Sequence, residues 1–129
     1  MTAHTIGYGN RRLEDFVSLL RKHGIDMVVD VRRFPISKRA EFKKERLEVE
    51  LPRSGIRYVP MRELGGFRKG GYQKYMETDI YKEGIKNLLE LTRQCNIAIM
   101  CVERSPRSCH RRFISQTLED MNVRVVHIK

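Results

Sequence analysis

Residues 97–111 read Ile97-Ala98-Ile99-Met100-Cys101-Val102-Glu103-Arg104-Ser105-Pro106-Arg107-Ser108-Cys109-His110-Arg111. An unbroken apolar run, Ile97 to Val102, passes into a polar turn interrupted by Pro106. A helix is then expected from Cys109 to Met121, with Phe113, Ile114, Thr117, Leu118 and Met121 facing inward. A strand apolar on both faces belongs in a parallel sheet covered on both sides. The same strand-then-helix alternation extends in both directions.

Upstream, Ala3 to Tyr8 begins as a strand. Asn10 is placed to cap a helix carrying Leu13, Phe16, Val17 and Leu20 on one face, and Gly24 stops it. Ile25 to Val31 is a second strand, a helix near 44–51 is ended by Pro52, and Ile56 to Met61 is a third strand. A glycine-rich loop, Glu63 to Tyr72, precedes a helix over about 80–94 with Tyr81, Ile85, Leu88, Leu89 and Thr92 inward. Downstream of the opening stretch, Asn122 suits a left-handed cap before a fifth strand, Val123 to Ile128. The expected fold is α/β: a single domain over 1–129, three-layered and doubly wound, with a mostly parallel sheet of about five strands and helices on both faces.

The 129 residues carry a formal net charge of +10. Such a balance favours polyanionic partners, an anionic small molecule or nucleic acid, with a solvated, soluble surface as the alternative. The excess is clustered. Arg32, Arg33, Lys38, Arg39, Lys43, Lys44 and Arg46 face only Glu41 and Glu45, and Arg104, Arg107, Arg111 and Arg112 face no acid in their own stretch. No apolar run approaches the ~20 residues of a membrane span, and Met1-Thr2-Ala3-His4 leads straight into a strand, so a soluble cytoplasmic protein with no membrane partner is expected. Three cysteines, none in a C-x-x-C pair, argue against a disulfide framework and for reduced thiols. No Walker or G-x-G-x-x-G pattern occurs, and no cofactor is expected. The sequence does not fix an oligomeric state.

In parallel sheets, ligands bind beyond the carboxyl ends of the strands. The residues just past each strand are therefore the candidate site: Tyr8-Gly9-Asn10-Arg11, Asp30 and Arg32, Glu63 with Gly65 and Gly66, and the run from Cys101 to His110. Four elements of this list have motif character. They are Thr5-Ile6-Gly7-x-x-Asn10, Asp30-Val31-Arg32 followed by Phe34-Pro35, Glu63-Leu64-Gly65-Gly66, and Cys101-x-Glu103-x-x-Pro106-x-x-Cys109-His110-Arg111. Together they resemble domain-of-unknown-function family 488 over essentially the whole chain. Tyr8 and Gly9 stand where that pattern has a His-Ser pair. The resemblance implies an α/β domain of uncharacterised activity and supplies no reaction, cofactor or substrate.

Cys109 beside His110 at a helix start, flanked by Arg107 and Arg111, is an environment that favours a thiolate nucleophile. The alternative is a buried thiol packing helix on sheet. Asp30 and Glu103 are candidate acid–base carboxylates, or members of an ion-paired network in which Arg32 neutralises one of them. Asn10, Arg32, Gly65, Gly66, Arg107 and Arg111 are candidate substrate contacts, and the glycine-rich loop a candidate flap. Cys101-x5-Arg107 has the spacing of cysteine-dependent phosphatases and rhodaneses. However, the turn lacks glycine, Pro106 removes an N–H donor, and Glu103 sits where phosphate would bind. A zinc site from Cys101, Cys109 and His110 with His4 or His127 lacks the usual paired spacings, and no metal is expected. The resulting expectation is an enzyme acting on an anionic substrate at a strand-end thiol/imidazole site. A non-catalytic nucleic-acid or phosphate-binding domain is the alternative.

Overall fold

A computed structural model describes residues 1–34, 38–66, 68–105 and 110–129. Five strands, β1 (Thr2–Gly7), β2 (Met27–Asp30), β3 (Arg57–Pro60), β4 (Ile97–Cys101) and β5 (Arg124–Ile128), form one sheet in the order β3-β2-β4-β1-β5, and every pairing is parallel. The helices are α1 (Leu13–Lys22), α2 (Lys44–Arg53), the single turn α3 (Tyr72–Tyr75), α4 (Asp79–Gln94) and α5 (Arg111–Asp120).

Alternation along the strands sorts the core into two layers. Ile6, Val28, Ala98 and Met100 pack with Phe16 and Leu20 of α1 and Leu47 and Leu51 of α2. Ala3, Val29, Ile97 and Ile99 pack with Ile85 and Leu88 of α4 and Ile114 and Leu118 of α5. Both layers are needed because β2 and β4 are buried along their whole length. The chain thus leaves β1 toward one face and β4 toward the other, although the two strands are neighbours, and this opens a crevice at their carboxyl ends.

Local signals explain most boundaries, and four expectations are corrected. The N-cap of α1 is Arg12, with no side-chain cap bond, while Asn10 is exposed in a turn closed by Arg11 N–H to the Tyr8 carbonyl at 2.8 Å. Pro52 lies inside the last turn of α2, which runs on through Arg53. Met121 is 46% exposed, beyond the end of α5. Cys101 is disulfide-bonded, against the expectation of reduced thiols throughout, while Cys95 is a free thiol. Asn122 is left-handed as its position suggests, with φ 66°. Among the described residues no helix is long and apolar enough to cross a membrane.

The strand ends are drawn together beyond the sheet. Tyr8 and Gly9 donate to the carbonyls of Cys101 (3.1 Å) and Val102 (2.7 Å), and Val31 donates to Met100 (3.1 Å). This crossing requires glycine at position 7, where a Cβ would lie 1.7 Å from the Glu103 carbonyl oxygen and 2.8 Å from the Arg104 Cα. Both obstacles are backbone, so no side-chain rotation relieves them. Gly7→Ala is expected to destabilise the fold by about 3 kcal/mol or more, the upper range for overpacking. Urea denaturation checks this, and a loss under about 1 kcal/mol would show that the strand ends part easily.

Candidate functional site

The exit of β2 is built around a buried ion pair. Arg32 Nε lies 2.8 Å and Nη2 2.6 Å from the two oxygens of Asp30, a fork-on-fork contact, and Arg32 Nη1 donates to the Phe42 carbonyl at 2.8 Å. From β3, the Tyr58 hydroxyl donates to Asp30 at 2.5 Å. Burial alone would lower the Arg32 pKa, but the bond and charge of Asp30 outweigh it and raise it. Burial and then the Asp30 charge push Tyr58 upward, keeping its hydroxyl a donor. The Tyr8 ring stacks on Phe42 at 4.2 Å and takes the Arg32 guanidinium at 5.6 Å, tying β1 to the same network.

At the crossing of β1 and β4, arginines hold the loops by their carbonyls. Arg11 Nε donates to Gly7 (3.2 Å) and Arg39 Nη1 to Gly9 (3.2 Å), while Arg111, buried, donates to both Glu103 and Arg104 carbonyls. Arg39 also pairs with Glu41. The aliphatic stem of Arg104 covers Gly9, whose φ is +50°. Arg62 holds the Arg33 carbonyl, and Arg68 holds those of Gly65 and Arg62. Burial and then the neighbouring Arg104 lower the Arg11 pKa, whereas burial, only partly offset by Glu103, brings Arg111 down to about 10.

His110, the N-cap residue of α5, reaches across to β2, with Nε2 3.0 Å from the Val31 carbonyl. A carbonyl only accepts, so Nε2 carries the proton and Nδ1 the lone pair. The ring packs on Tyr72 at 5.4 Å and against Gly66, where a Cβ would sit 3.1 Å from Nδ1. Burial first, then Arg111 and Arg68, lower its pKa despite the Val31 bond, so the neutral imidazole is the resting form.

The chain matches the family described as Domain of unknown function DUF488 over residues 12–118. It belongs to that family. A comparison with curated proteins returns no match.

In this member of the family, Asp30, Arg32 and His110 converge on the exit of β2, His110 through the carbonyl next to Asp30. Arg32 neutralises Asp30, one of the two acids open to it, and both are spent on the network. Glu103 is exposed and approaches β1 through its backbone carbonyl. Arg111 is buried under that loop. Gly65 and Gly66 are buried as well, Gly65 against the Arg33 backbone and Gly66 against the imidazole. Asn10 is exposed beside the crossing. Cys109 and Arg107 lie outside the described residues. The expected flap is stapled in its described part, where Tyr72 and Tyr75 hydroxyls donate to the Leu64 and Glu63 carbonyls and Arg68 bonds the same turn. Tyr58 and Arg39 join the site without a motif or spacing that would single them out. Among the described residues no three His, Cys, Asp or Glu side chains are grouped to hold a metal ion, and His127 instead bonds Thr5.

Three imidazoles, His4, His110 and His127, have pKa values lowered chiefly by burial. Unfolded histidine titrates near about 6.5, so below that pH the unfolded chain binds more protons than the folded one. Stability from these groups is fully present above about pH 6.5 and is lost as pH falls toward the folded values. Urea midpoints are expected to drop on acidification through this window, less steeply in His110→Gln. A decline of equal steepness in the variant would remove His110 from the account.

Proposed function

We propose that this protein acts on an anionic, phosphate-bearing substrate held at the β1–β4 crossing by Arg11 and Arg104. The observation that carries the reading is the Arg11 guanidinium. Its Nη2 is buried and has no hydrogen-bond partner among the described residues, and the charge of a second cation, Arg104, acts on it. Neither arginine makes an ion pair among the described residues. Donation to a backbone carbonyl satisfies hydrogen bonds without cancelling charge, so positive potential accumulates where the strands end. An anion with several acceptor oxygens meets both needs, taking the remaining donors and neutralising the pair.

Inorganic phosphate and a nucleoside monophosphate, titrated by calorimetry, are suitable probes. A charge-assisted hydrogen bond is worth about 1.5–3 kcal/mol, so Arg11→Ala and Arg104→Ala are each expected to weaken binding about tenfold or more. Arg93→Ala, at an exposed pair with Glu90, should leave it unchanged. Equal losses in all three variants, or no binding by the parent protein, would refute a site at the crossing.

For the reduced chain, in which the Cys101 disulfide is opened, we propose Cys109 as nucleophile and His110 as its base. It is supported by the neutral resting state of His110, whose lone pair lies on Nδ1. Cys95→Ala/Cys101→Ala protein leaves Cys109 as the sole thiol. Its alkylation is expected to titrate below the ~8.5 of a free cysteine and to shift upward in Arg107→Ala. Titration above the free value, with no response to Arg107, would leave a binding domain without thiol chemistry.

A further inference from the structure

On the far side of Arg104, between the loop after β4, α5 and the edge strand β5, runs a groove of about 660 Å³. Arg104, Arg112 and Lys129 line it against one carboxylate, Glu119, and none of these four makes an ion pair among the described residues. Ser115 also lines it, only 3% exposed, and its hydroxyl has no hydrogen-bond partner among the described residues. A buried hydroxyl without a partner calls for an explanation, and a ligand oxygen supplies one. His127 completes the wall, its Nδ1 fixed by the Thr5 hydroxyl at 2.6 Å, and burial with nearby cations keeps the ring neutral. The groove therefore offers cationic donors, a hydroxyl and an imidazole to a second anion, and shares Arg104 with the first.

Beyond the carboxyl end of β2, three strands from β5 in the sheet, Phe34 is 50% exposed and carries the Arg33 guanidinium 5.0 Å from its ring centre. A half-exposed aromatic ring beside an arginine offers a stacking platform for an unpaired base. We propose that the groove is a second phosphate subsite and that the ligand of this edge is a single-stranded nucleic acid. Its backbone runs from Arg11 across Arg104 to Arg112 and Lys129, with a base resting on Phe34. This rests on the reading of Arg11 and Arg104 as an anion site and extends it from one phosphate to a chain of them.

The test compares a thymidine monophosphate, a homothymidine oligonucleotide and inorganic polyphosphate on the full chain across a salt series. The oligonucleotide is expected to bind at least about tenfold tighter than the monophosphate, with a log–log salt slope near 0.7 per phosphate neutralised. Arg112→Ala should weaken oligonucleotide binding about three- to tenfold and lower that slope by about one, leaving the monophosphate unaffected. Phe34→Ala should cost about tenfold for the oligonucleotide and nothing for polyphosphate. Equal affinity for monophosphate and oligonucleotide, or an Arg112→Ala slope unchanged, overturns the groove subsite. Polyphosphate binding as tightly as the oligonucleotide, with Phe34→Ala silent, overturns the nucleic-acid assignment. The Arg11 reading fails separately, by monophosphate binding that Arg11→Ala does not alter.

Discussion

The buried pair of Asp30 and Arg32 is the constraint on which the carboxyl edge depends. Moving two charges out of water costs several kcal/mol per ion, which is recovered only when geometry is good and the remaining donors are satisfied. Here both conditions hold, since the guanidinium forks onto the carboxylate and spends its third nitrogen on the Phe42 carbonyl. Tyr58 supplies the carboxylate with a further donor from β3. One ion pair thereby fixes the separation of β2 and β3 and the path of the chain after β2. It also sets the stack of Tyr8 on Phe42 that carries the constraint across to β1. Removing either partner alone would strand a buried charge, a loss of about 3–5 kcal/mol in comparable sites.

A second regularity follows from the way the loops are tied. Arg11, Arg39, Arg62, Arg68 and Arg111 all donate to backbone carbonyls of segments that cross the strand ends. Loop carbonyls must be satisfied when they are buried, and a guanidinium is the side chain with the most donors to give. Lysine in these places would satisfy fewer groups and pay more to leave water. Structure and electrostatics are thus coupled, because the arginines that fasten the edge also charge it. The net charge of +10 is in part a consequence of how this edge is built.

Strand and helix order, the doubly covered sheet and the left-handed Asn122 were legible because each rests on local periodicity or on one residue's backbone preference. Asn10 shows where local reasoning stops. Its residue type suits a cap, but the turn needed for β1 to pass under Arg104 delays α1 to Leu13. Pro52 suits a terminator by residue type, yet in the last turn of α2 it follows residues already committed to the helix by Leu47 and Leu51 on the core. Spacing brought Asp30 and Arg32 to one place, whereas the choice between Asp30 and Glu103 as the partner of Arg32 depends on tertiary direction. That Arg111 holds the Glu103 and Arg104 carbonyls is equally illegible, because charge in sequence says nothing about which carbonyls lie above it.

The glycine-rich loop carries the same lesson into the site. Gly65 and Gly66 suggest mobility when read alone, but a missing Cβ also permits contact, and here contact decides. Gly65 admits the Arg33 backbone and Gly66 admits the His110 ring, so the turn is seated on β2 and on the start of α5 together. Tyr72 closes the arrangement by packing on His110 while its hydroxyl holds the Leu64 carbonyl. The imidazole is consequently fixed in orientation by three elements, with its proton on Nε2 committed to Val31. A ring held this way has one tautomer and a lowered proton affinity, so the placement of its Nδ1 lone pair is set by the fold.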